Sequence, residues 1–334
     1  MQPEAADRPS LQSASCAPEL LAILRCPSCQ GVFRDHRSTL ECAECGKTFP
    51  VVRGIPRFVP ADNYANNFGF QWNHFRSTQL DSHSGQPISA DRFARETRWP
   101  GDALRGKLVL DAGCGAGRFA EVALNAGATV VAIDYSNAVE ACRNNLPHPS
   151  LHVVQADIYA LPFAPESFDF VYSLGVIQHT PDVERAVKAL VAPLKPGGEL
   201  VVDVYAQHWK GWLHPRVWLR PITTRMDSER LFRLVRRFAP ALLRVSDVVG
   251  TVPVVGPHLR RLVPVANYRG QLPLTPLQLR EWAILDTFDW LAPRYDQPQT
   301  LSTLRRWLTE GGLVDLQVFR ADHLTARGRK PAAG

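Results

Sequence analysis

Residues 106–204 constrain the fold more than any other part of the chain, because short apolar strands there alternate with turns and helices: KLVLDAG, RFAEVALNAG, TVVAIDYS, AVEACRNNL and LHVVQAD follow one another. Repeated units of this kind predict a parallel sheet with helices on both faces. The first junction, Asp111-Ala112-Gly113-Cys114-Gly115-Ala116-Gly117, leaves an apolar strand and enters a helix. Glycines at such a junction let the backbone come close to a ligand. A glycine-rich turn alone is shared with dinucleotide enzymes, which place GxGxxG there. Here the spacing is GxGxG after an acidic residue. A second acid, Asp134, ends the next strand, where a carboxylate can accept ribose hydroxyls, and a third, Asp157, ends the strand after that.

The 334 residues leave room for about two domains. A hydrophobic share of 45% with 21% charged residues predicts a buried core and excludes wholesale disorder. The opening MQPEAADRPS lacks the charged start and apolar run of a signal peptide, and no stretch reaches the roughly 18 apolar residues of a membrane span. The protein is therefore expected in the cytoplasm, and its seven cysteines are expected to be thiols or metal ligands rather than disulfides. Cys26-Pro-Ser-Cys29 and Cys42-Ala-Glu-Cys45 form two CxxC pairs with zinc-site spacing. Four thiolates suit tetrahedral zinc and leave no open position, so the metal is expected to be structural. Gly31 and Gly46 follow the pairs and allow tight turns around the ion. A unit this small has almost no core, so about 10–16 kcal/mol of apparent zinc-binding energy decides whether it folds. Cys16, Cys114 and Cys142 have no such partners.

The ribbon segment with TFPVVRGIPRFVP resembles, over roughly residues 20–60, the zinc ribbon fused in front of some bacterial methyltransferases, including ones that methylate a guanine of large-subunit ribosomal RNA. The GxGxG junction, the strand-end acids, FDFVYSLGVIQH and LKPGGELVVDVY together resemble the class I S-adenosylmethionine-dependent methyltransferases over about residues 100–205. That resemblance implies S-adenosylmethionine as cofactor. It puts Gly113, Cys114 and Gly115 along the methionine and ribose, Asp111 beneath the amino group, and Asp134 on the ribose diol. It also puts Tyr135 on the adenine, Asp157 and Ile158 at the adenine edge, with core packing as the alternative for Tyr135 and Ile158, and brings Ser173 and Leu174 near the methionine amino group through their backbone carbonyls. His179 is the candidate general base, with a helix-start or packing role as its alternative. Asp289 and Tyr295 are candidates to orient an acceptor hydroxyl, against a polar loop with a turn at Pro293.

The expected fold class is α/β: a doubly wound Rossmann-like methyltransferase sheet with a small N-terminal zinc ribbon and a helical insertion. The expected divisions are a disordered N-terminus at 1–19, the ribbon at 20–60 and a cap segment at 61–105. The cofactor-binding core at 106–206, a basic insertion or lid at 207–298 and a closing helix and strands at 299–334 complete the chain. In the cap, Phe68, Phe70, Trp72 and Phe75 cluster; two readings stay open there, Arg76 or Gln71 reaching the cofactor's carboxylate and a cap helix that packs its aromatics on the core. Residues 207–270 hold twelve Arg and Lys against three Asp and Glu, a net of +9 within a chain of net +6. Leu231, Leu234, Val235, Phe238 and Leu242 mark an apolar helical face there, with Arg230, Arg233 and Arg237 away from it. Three readings stay open for this helix: a lid packed on the core, contact with an anionic membrane or lipid-linked substrate, and contact with RNA phosphates. The Trp209, Trp212 and Trp218 cluster suits all three. The function expected is methyl transfer by in-line displacement to a small-molecule or lipid- or glycan-linked acceptor, at oxygen. The rivals are a ribosomal RNA guanine methyltransferase and a non-catalytic S-adenosylmethionine-binding interaction protein.

Overall fold

The computed structural model describes residues 16–60, 63–207 and 214–332. Among them, a four-stranded sheet contains β1 (Phe33–Asp35), β2 (Thr39–Cys42), β3 (Thr48–Val52) and β4 (Ile55–Pro56). A seven-stranded sheet contains β5 (Leu108–Ala112), β6 (Thr129–Asp134), β7 (Leu151–Gln155), β8 (Phe168–Ser173), β9 (Leu194–Val204), β10 (Val314–Arg320) and β11 (Leu324–Arg329). Its order is β10-β11-β9-β8-β5-β6-β7, with β5 to β9 parallel and β11 antiparallel to both neighbours. This is the α/β Rossmann-like methyltransferase arrangement. The chain turns from building one side of the sheet to the other between β5 and β8, and the crevice at the carboxyl ends of those strands is where such sheets bind ligands. The central strands are near-continuous apolar runs because both faces are covered: Val109, Leu110, Val130, Val131 and Ala132 have no exposed surface.

The helices are α1 (Pro18–Ile23), α2 (Asn66–His74), α3 (Asp81–Ser84), α4 (Ile88–Thr97), α5 (Arg118–Asn125) and α6 (Val139–Asn145), then α7 (Val183–Ala189), α8 (Pro215–Thr223), α9 (Ser228–Gly250), α10 (Gly256–Leu259), α11 (Pro276–Leu291) and α12 (Leu301–Glu310). The expectation of disorder through residue 19 is corrected. Residues 1–15 lie outside the described part, but Cys16 donates its backbone N–H to Asp35 at 2.9 Å and is buried, and α1 starts on Pro18, a residue suited to a helix's first turn. Leu20 and Leu24 bury themselves with Phe163 beneath the main sheet.

The ribbon is likewise not the coreless unit its length suggested. Phe33, Leu40 and Val51 belong to one apolar cluster with residues of the main sheet, and Phe33, Phe49 and Phe58 pack ring on ring. The ribbon docks on β7, the terminal strand. Phe58 donates its N–H to the Gln155 carbonyl at 2.8 Å, and the Arg57 guanidinium reaches the Gln155 side chain at 2.7 Å and the Glu140 carboxylate.

The insertion is helical, but its apolar face divides. Leu231 and Val235 are buried with Ile284, Leu285 and Phe288 of α11, whereas Leu234 and Phe238 are exposed. The reason is that one face of α9 meets α11, while the adjoining face that carries Leu234 and Phe238 is left largely open among the described residues. Of the tryptophan cluster, Trp218 is exposed, and Trp209 and Trp212 lie outside the described residues. The segment with Asp286 and Asp289 is the second half of α11 and not a loop; only Tyr295 lies beyond the helix. No helix among the described residues is long and apolar enough to cross a membrane.

Candidate active site and four-cysteine cluster

The glycine junction leaves β5 with Gly113 at φ +95° and Gly115 at φ +51°. A Cβ on Gly113 would stand 2.4 Å from the Val176 side chain, so conformation and space both require glycine. The loop is held from below by Asp134 at the end of β6. One Asp134 oxygen accepts the Gly115 N–H at 3.0 Å, and the other accepts the Ser136 N–H at 2.8 Å and the Ser136 hydroxyl at 2.7 Å. Three of about four acceptor positions on the carboxylate are thus used, leaving one for a sugar hydroxyl while these donors stay in place. Burial raises the Asp134 carboxyl above its ordinary value, and these same donors oppose the shift.

The junction opens on a cavity of about 890 Å³. Gly113, Cys114, Gly115, Asp134, Tyr135, Ile158, Leu174, His179 and Asp289 line it. Four other expected residues do not. Asp111 is buried beneath the loop, where burial pushes its carboxyl up to about 8 and the Asp134 charge acts in the same direction. Ser173 donates its hydroxyl to the Ala112 carbonyl at 2.7 Å, tying β8 to β5. Asp157 accepts the Tyr159 N–H at 2.9 Å. Tyr295 packs edge-on against Tyr64, and its backbone carbonyl accepts a hydrogen bond from His179 Nδ1 at 2.9 Å. A carbonyl can only accept, so His179 carries its proton on Nδ1 and leaves Nε2 as the basic nitrogen.

The cap supplies the roof. Phe68 and Trp72, four residues apart on α2, face the cavity, while Phe70 and Phe75 turn the other way into the aromatic cluster with Phe232 of α9. Tyr64, not singled out in the sequence, stacks on Tyr135 at 5.0 Å. Gln71 is fully buried and donates to Asp289 at 3.0 Å, and Arg76 is exposed away from the cavity, so neither presents a group to it. The arginines that line it are others, notably Arg92 and Arg118. Arg92 is paired with Asp203 at 2.6 Å. Arg118 has only neutral partners, Ser89 at 2.8 Å and Gln79 at 3.1 Å, and burial, with Arg92 nearby, pulls its guanidinium down to about 9. The signal that could have found Arg118 is its place: a cation in the first turn of α5 opposes the helix dipole and needs another reason to be there. At the insertion end, Tyr268 donates its hydroxyl to Asp286, which burial pushes up to about 7.

In the ribbon, Cys26, Cys29, Cys42 and Cys45 bring their sulfurs within 4.8 Å of one another. Each pair is wrapped by the same turn: the Gln30 N–H donates to the Cys26 carbonyl at 2.8 Å and the Gly46 N–H to the Cys42 carbonyl at 3.0 Å. The Cys26–Cys45 and Cys29–Cys42 sulfur separations are 3.7 and 3.4 Å. A tetrahedron of zinc–sulfur bonds has edges of about 3.8 Å, so the cluster fits a zinc ion.

Residues 110–202 match the family model described as a methyltransferase domain. A ubiquinone biosynthesis O-methyltransferase of Coxiella burnetii is 32% identical over 114 residues, 33% of this chain and 49% of that protein. An uncharacterized protein of Synechococcus is 36% identical over 220 residues, 62% of this chain and 47% of that protein. The chain thus spans about half the length of these curated relatives. Among solved structures, human N-acetylserotonin methyltransferase in complex with S-adenosylmethionine superimposes with a TM-score of 0.45 at 14% identity, covering 82% of this chain and 61% of that one.

Proposed function

We propose that the protein binds S-adenosylmethionine in the cavity and methylates an oxygen of a small-molecule or lipid- or glycan-linked acceptor. The observation that carries this reading is the placement of both halves of such a site on one cavity. Gly113, Gly115 and Asp134 line it together with Asp286 and Asp289 of the insertion. Bound there, S-adenosylmethionine supplies an electrophilic methyl group for in-line displacement. The protein's part is mainly positioning, worth up to about 7–11 kcal/mol in such reactions. Trp72 and Phe68 roof the site against water, and Asp289, fixed by Gln71, orients the acceptor by accepting a hydrogen bond from a polar group beside the reacting hydroxyl. His179 takes the hydroxyl proton at Nε2, its ring fixed by the Tyr295 carbonyl. The ribbon holds a structural zinc ion in its four cysteines and takes no part in the chemistry.

The test is calorimetry with S-adenosylmethionine on wild type and Asp134→Ala. Equal affinity overturns the assignment of the site. Labelled S-adenosylmethionine incubated with the protein and a fractionated cell extract then separates acceptors. Label in lipid, glycan or small-molecule fractions agrees with the reading, and label in RNA refutes the acceptor class.

A further inference from the structure

The exposed side of the insertion is built unlike the rest of the surface. Along α9, Leu234, Phe238, Val245 and Val248 recur at spacings that return to one side of a helix, with Phe238 52% and Val248 69% exposed. Beside this stripe runs a ridge of Arg230, Arg233, Arg237 and Arg244. None of these arginines has a carboxylate within 4.0 Å among the described residues. The other side of α9 is committed to α11. On α8, Trp218 and Ile222 are also exposed, at 64% and 67%, while Arg216 of the same helix lines the cavity.

From this we infer that the α8–α9 face docks on an anionic lipid surface, with the apolar stripe in the headgroup–acyl boundary and the arginines on acidic headgroups. An apolar stripe flanked by cations is the design of helices that lie in a membrane interface. Charge selects this occupant. A second copy meeting the same face across a two-fold axis would set arginine ridge against arginine ridge. RNA would satisfy the arginines but leave the aliphatic stripe in water. Docking here places the lipid surface one helix layer from the cavity, since α9 packs on α11 and α11 carries Asp286 and Asp289, which line it. This inference does not depend on the methyl-transfer reading.

The experiment is sedimentation of the full chain with phosphatidylcholine vesicles and with vesicles containing phosphatidylglycerol, at low and high salt. Binding is expected only to the anionic vesicles and is expected to weaken with salt. Phe238→Asp with Val248→Asp should abolish it, and Arg233→Gln and Arg237→Gln should each lower partitioning about five-fold. An unchanged circular dichroism spectrum and melting temperature in every variant show that the fold is intact, and a variant that loses them is replaced by Val245→Asp. No pelleting, or equal pelleting of the aspartate variants, overturns the inference. So does a dimer that Phe238→Asp dissociates, or tight RNA binding that the arginine variants remove without any vesicle binding.

Discussion

His179 donates its Nδ1–H to the backbone carbonyl of Tyr295 at 2.9 Å, across 116 residues of chain. The bond joins the turn after β8 to the segment that follows α11 within the insertion, and it sets which ring nitrogen is basic. His179→Gln should therefore lower turnover by about 10²–10⁴-fold, the usual contribution of a positioned base. Calorimetric affinity for S-adenosylmethionine should stay as in wild type, and a parallel loss of affinity would show a packing role instead.

Asp134 accepts one hydrogen bond from the glycine loop and two from Ser136, and still faces the cavity. Asp134→Asn keeps the shape but gives up the charge, and bonds to charged groups contribute about 1.5–3 kcal/mol. Affinity for S-adenosylmethionine should fall roughly ten- to hundred-fold, read by titration calorimetry.

Asp111 gives the empty protein a pH dependence of known sign. Its carboxyl titrates near 8 when folded against an ordinary 3.8, so between those values the folded state holds the extra proton and stability falls as pH rises. Asp111→Asn removes this penalty. Its melting temperature should exceed that of wild type by a margin that widens from about pH 5 to pH 8. A margin that narrows over that range would reverse the assignment.

The four-cysteine cluster should hold close to one zinc ion per chain by elemental analysis. Cys42→Ser should release it and lower the melting temperature, because about 10–16 kcal/mol of apparent binding energy goes with such an ion. Full retention of zinc by this variant would remove Cys42 from the ligand set.

Much of this was legible in the sequence because it is local. Strand, glycine turn and helix follow within a few residues at Asp111–Gly117, and each CxxC pair lies within one turn, so spacing alone locates them. What escaped notice depends on pairs distant in sequence. Gln71 could not be known to serve Asp289, 218 residues on, nor Arg118 to sit between Gln79 and Ser89. Periodicity marked α9 as amphipathic, but which part of its apolar arc is covered depends on where α11 lies, so Leu231 and Leu234 read alike and end differently. In the sequence Tyr295 is a candidate to orient an acceptor hydroxyl, whereas its carbonyl is what meets His179, and every residue type offers a carbonyl.

The contact between Phe58 and Gln155 gives the ribbon a duty apart from catalysis. β7 ends the main sheet, and an uncovered outer strand is a template for pairing between molecules. Metal starvation would therefore be expected to show first as clumping of otherwise intact protein, with solubility failing before the cavity at β5 does.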